Sequence, residues 1–74
     1  MSPSQLIAFL NALNLGDVAA LGAKLDEAST ACARLGQDEL ADQLRTARTA
    51  LATGDVKTYR RRIETVVARL GHMR

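Results

Sequence analysis

The chain is poor in the residues that most often carry chemistry. It has one cysteine, Cys32, one proline, Pro3, one histidine, His72, two aromatic residues, Phe9 and Tyr59, and no tryptophan. Each shortage excludes something. A single cysteine cannot build an intrachain disulfide framework, as expected of a protein in a reducing cytoplasm. One His and one Cys cannot close a four-ligand zinc site, and the Glu-x-x-His pairs of di-iron bundles are absent. Nucleophilic catalysis needs a Ser, Cys or Thr beside an oriented base, but His72 falls in a predicted tail over residues 72–74. The five glycines are isolated, so no phosphate-cradling loop is present. No apolar run reaches the roughly 18 residues of a membrane-spanning helix, and the first residues lack the positive charge of a secretory signal. Cytoplasmic location is expected; an enzyme, a cofactor, a metal and a membrane are not.

Hydrophobic residues make up 47% of the 74 residues, but thirteen of them are alanine. Alanine favours helix yet buries little area, so the single-chain core is expected to be thin and to invite a second copy, most simply as a homodimer. The formal net charge of +2 is far from that of a dedicated nucleic-acid binder. The charge is unevenly placed: residues 1–38 sum to −2 and residues 39–74 to +4.

What the chain does have is an internal echo. At a shift of 38, Gln5-Leu6 meets Gln43-Leu44, Ala12-Leu13 meets Ala50-Leu51, and Gly16-Asp17-Val18 meets Gly54-Asp55-Val56. Ala33-Arg34-Leu35-Gly36 meets Ala68-Arg69-Leu70-Gly71 at a shift of 35, which predicts one extra helical turn in the second helix of the first copy. Four helices follow from the periodicity. Ser2-Pro3 starts the first, whose stripe is Leu6, Phe9, Leu10 and Leu13, and Asn14-Leu15-Gly16 closes it. Asp17 caps the second, with a seam of Val18, Leu21, Leu25, Ala28, Cys32 and Leu35 ended by Gly36. Asp38 is the expected cap of the third, whose stripe of Leu40, Leu44, Ala47 and Leu51 is the weakest. Gly54 ends it, Asp55 caps the fourth, and Val56, Tyr59, Ile63, Val66, Leu70 and Met73 form the last seam, widened by Val67, before Gly71 stops it. Leu25 and Ile63, at matching centres, are both expected to be deeply buried. Gly22, inside the second helix, costs about 1 kcal/mol relative to alanine and would let another helix approach closely. Turns this short force antiparallel neighbours, so the expected fold is one all-α domain. It comprises four short antiparallel helices as two tandem hairpins (about 2–36 and 37–71), forming a small bundle.

The Ala-Leu-x-x-Gly-Asp segments at 12–17 and 50–55 resemble the inter-helix turn of tetratricopeptide repeats. That family places a small residue five positions after the glycine, where this chain has Leu21 and Tyr59, and its period is about 34 residues. The likeness is one of turn chemistry, and no family is assigned.

Two surfaces are candidates for binding. The first is the basic run Arg60-Arg61-Arg62 with Lys57 and Arg69, to which Arg45 and Arg48 could add an edge. At about 100° per residue three consecutive arginines fan around the helix, and Lys57 with Arg61 forms the best exposed pair. The ordinary role of such a run is a solvated face; an acidic protein partner and nucleic-acid phosphates are the functional alternatives. With both aromatics in core stripes, no stacking platform for single strands is evident. The second surface is the first helix, where Ile7 and Leu15 exceed what docking requires; they either wrap the core or mark an interface. Cys32, at a core position, has the ordinary role of a small buried hydrophobe. The expected function is a non-catalytic, self-associating helical module that presents a helical surface to a partner protein. The alternative is a small nucleic-acid-associated protein using the basic fourth helix.

Overall fold

Ser2 opens the first helix. Its hydroxyl accepts a hydrogen bond from the Gln5 amide at 3.2 Å, and the Gln5 side chain accepts one from the Ser2 amide at 2.8 Å. This reciprocal cap, with Pro3 where no amide donor is needed, starts α1 over Pro3–Asn11. The computed structural model describes residues 2–13 and 18–72, with the backbone alone for Val18. Three more helices follow: α2 over Val18–Arg34, α3 over Asp38–Ala52 and α4 over Val56–His72. No strand occurs among the described residues, and the architecture is the expected all-α antiparallel bundle.

Both described inter-helix links close in one way. After α2, the Gln37 amide donates to the Cys32 carbonyl at 2.9 Å and the Gly36 amide to that of Ala33 at 3.0 Å. After α3, the Asp55 amide donates to the Ala50 carbonyl at 2.8 Å and the Gly54 amide to that of Leu51 at 3.1 Å. Each closure satisfies the last helical carbonyls and places its glycine at positive φ, 76° at Gly36 and 82° at Gly54, a region closed to most side chains.

Three boundaries depart from expectation. Gln37, rather than Asp38, occupies the cap position of α3 and makes no side-chain capping bond. The closure after Gly36 engages the Gln37 amide, so Asp38 becomes the first helical residue, where its charge still favours the helix N-terminus. α1 ends at Asn11, earlier than expected, with Ala12 as its cap; the anticipated stop at 14–16 and the Asp17 cap lie outside the described residues. Gly71 does not stop α4, which continues to His72. α2 and α4 are therefore both 17 residues long, without the extra turn expected in α2.

The core is built around α3. Leu40, Ala41, Leu44, Ala47, Ala50 and Leu51 are all buried, because α3 packs on α2 along one side and α4 along the other. The stripe expected to be weakest is thus the most enclosed, and its alanines permit that close double approach. α2 contributes Leu21, Leu25, Ala28 and Cys32, and α4 contributes Tyr59, Val66 and Leu70. α1 lays Leu6 and Leu10 into the core and packs more on α4 than on α2. Fully burying each leucine contributes about 1.5–3 kcal/mol. Three seam positions fall short of the core: Val56 is 38% exposed, and Leu35 and Ile63 are only partly buried. Val56 sits in the first turn of α4, before that helix reaches the core, and Ile63 lies toward the open flank beside α1. Met73 lies outside the described residues.

Ion pairs tie the helices at the surface. Arg48 on α3 meets Asp26 on α2 at 2.6 Å, and Arg69 on α4 meets Glu39 on α3 at 2.7 Å. Half-exposed pairs of this kind contribute about 0–1 kcal/mol each.

Candidate interaction face on helix α4

The first turn of α4 is fixed by Asp55. Its carboxylate accepts the Thr58 amide at 3.1 Å and the Thr58 hydroxyl at 2.7 Å. These bonds, led by the hydroxyl, hold the Asp55 carboxyl below its ordinary pKa, with the Arg61 and Lys57 charges adding to the effect. The cap fixes where α4 begins, and the buried Tyr59, Val66 and Leu70 set its rotation and hence which side chains face outward.

That rotation divides the basic run. Lys57, Arg60 and Arg61 are exposed and share one face with Glu64, at the spacing that puts three- and four-residue neighbours together. Among the described residues none of these three cations forms an ion pair. Val56, the exposed large hydrophobic residue among the described residues, completes the shallow depression they line. Arg62 turns the other way. Its guanidinium donates to the Gln43 side chain at 2.8 Å, and its Nε is buried without a hydrogen-bond partner among the described residues. Arg69 is held by Glu39. Arg45 pairs with Asp42 at 2.7 Å and Arg48 with Asp26, so neither extends the patch. The structure keeps Lys57, Arg60 and Arg61 together and sets Arg62 and Arg69 to holding α4 on α3.

The other candidates resolve differently. Ile7 is partly buried against the core, and Leu15 lies outside the described residues. Between the end of α1 and the outer side of α4 runs a groove lined by Leu10, Leu13, Tyr59, Arg60, Ile63 and Glu64, together with Asn11. Sequence reasoning missed it, because Leu13 and Ile63 both read there as core positions. Burial raises the pKa of the Tyr59 phenol, opposed by the Arg60 charge. Cys32 is a free, buried thiol whose pKa burial also raises, so it acts as a small core residue.

No group of three or more His, Cys, Asp or Glu side chains among the described residues could hold a metal ion. No helix there is long and apolar enough to cross a membrane. No protein-family model, curated protein or solved structure matches the chain.

Proposed function

We propose that this chain is a non-catalytic interaction module that presents the basic face of α4 to an acidic surface on a protein partner. The observation that carries this reading is internal to the chain. At the shift of 38, the α2 residues matching Lys57, Arg60 and Arg61 are Ala19, Gly22 and Ala23. A helix of the same length forms in the same bundle with none of those charges. Some of this charge works against α4, although attraction to Asp55 and Glu64 offsets part of it. Lys57 stands in its first turn, where the helix dipole disfavours positive charge. It is three and four residues from two further cations, and each such like-charge pair costs about 0.2–0.5 kcal/mol.

The alternative, a nucleic-acid partner, fits less well. Asp55 and Glu64 flank the cations, the first half of the chain is acidic, and Tyr59 is buried away from any base. A protein can place a cation opposite Glu64, whereas a phosphate backbone cannot. A second copy of the chain is one acidic partner to consider, through the −2 balance of residues 1–38 against the +4 of residues 39–74.

The test is titration of the 15N-labelled chain at physiological salt with poly-L-glutamate and, separately, with a mixed-sequence DNA duplex. The expected result is amide shifts at Lys57, Arg60 and Arg61 with poly-L-glutamate, abolished in the K57Q/R61Q variant, and duplex binding no tighter than about 10⁻⁴ M. Tighter duplex binding, lost in that variant, would install the nucleic-acid alternative. Light scattering after size exclusion decides the second-copy case: the 8.0 kDa mass of one chain at tens of micromolar directs the search to other proteins.

A further inference from the structure

The groove beside the basic face narrows the kind of partner. Leu13 and Ile63 lie partly exposed on its floor, with Tyr59 beneath and Arg60 and Glu64 on its α4 rim. Arg60 and Glu64 also belong to the depression that holds Lys57, Arg61 and Val56. Groove and basic face are therefore one continuous surface, apolar along one side and cationic along the other.

Resting on the reading above, we propose that the partner docks as an acidic amphipathic helix lying along α4. Two or three of its apolar side chains, three or four residues apart, seat on Leu13 and Ile63, while its carboxylates face Lys57, Arg60 and Arg61. A helix is the shape indicated because the floor lies between two helices, where apolar groups at i, i+3 and i+4 of a third can nest. Strand addition has no template, since no sheet edge exists among the described residues. The acidic chemistry follows from charge complementarity: three cations without an ion pair among the described residues, against Glu64 on the rim and Asp55 at the start of α4. Glu64 adds polarity to the match, because a lysine or arginine about one turn along the partner fits only one direction of docking.

The experiment uses three synthetic helical peptides of about 16 residues, long enough to hold helical structure. One carries leucines on one face and glutamates elsewhere. The second has the same composition with the leucines scattered, and the third keeps the leucine face but replaces glutamate with lysine. Each is titrated into the 15N-labelled full chain at physiological salt. The first peptide is expected to shift the amides of Leu13, Tyr59, Arg60 and Ile63, and to bind at least about tenfold more weakly to R60E, an exposed substitution that spares the core. Equal binding of the scattered peptide, or no binding of any peptide, overturns the groove while leaving the basic-face reading to the poly-L-glutamate result. Equal or tighter binding of the lysine peptide overturns both. Shifts confined to α2 and α3 place the contact elsewhere and overturn the groove.

Discussion

α2 and α4 are two versions of one helix. They match at a shift of 38 and have the same length, yet they serve different ends. α2 seats Leu21, Leu25, Ala28 and Cys32 fully against α3, and small residues fill the positions where α4 carries its outer cations. α4 buries only Tyr59 in its first half and reaches full burial later, at Val66 and Leu70, leaving Val56, Lys57, Arg60, Arg61 and the partly buried Ile63 toward solvent. The matched seams are thus largely enclosed in α2 and partly open to solvent in α4. The difference lies in a few side chains.

The largest effect that could break this comparison is at the matched centres. Leu25→Ala should cost about 2–5 kcal/mol, the usual range for a buried large-to-small change, and could unfold so small a domain. Ile63→Ala, at the groove, should cost clearly less, about 1–2 kcal/mol. Urea unfolding measures both, and equal losses would show that α4 is as much core as α2.

The two Ala-Arg-Leu-Gly segments offer a test in which the sign changes. Gly36 sits at φ 76°, so Gly36→Ala should destabilise by about 1–2 kcal/mol. Gly71 lies within α4 with open space around it, so Gly71→Ala should stabilise by up to about 1 kcal/mol. Gly22→Ala should also stabilise. A Cβ there would lie 3.6 Å from Arg48 Nε, an ordinary contact, so the expected close helix approach does not require a glycine. Thermal melts of the three variants would settle the signs.

These contrasts explain what the sequence made legible. Helix number and type, the stops at Gly36 and Gly54, the Asp55 cap and most of the core follow from local rules, because a positive φ or a capping carboxylate needs no knowledge of the rest of the molecule. What failed depends on tertiary placement. The α3 stripe reads as weak because alanines score low, yet alanines are what permit packing on both sides. Gly36 and Gly71 have the same preceding residues, and only the closure that leads into α3 makes one a turn. The basic run gave Lys57 and Arg61 as the exposed pair. It could not reveal that Gln43 and Glu39 on α3 would take Arg62 and Arg69.

A smaller effect concerns pH. The Asp55 carboxyl is held below its ordinary pKa in the folded state, so it binds fewer protons folded than unfolded. Its stabilising contribution is full above the ordinary carboxylate value and is lost as pH falls through the lowered one. Asp55→Asn, which keeps a capping acceptor, should flatten that part of the stability profile below about pH 4. An unchanged profile would remove Asp55 from the account of how α4 is set.

The most direct test of this contrast between α2 and α4 is the unfolding free energy of K57A/R60A/R61A, which gives α4 small residues in place of its outer cations. If the cations serve binding rather than folding, relief of two like-charge pairs and of a cation in the first turn should at least offset the lost attraction to Asp55 and Glu64, leaving stability unchanged or raised by up to about 1 kcal/mol. A loss greater than about 0.5 kcal/mol, beyond the usual scatter for surface substitutions, would contradict the account and make the three cations part of what holds the bundle together.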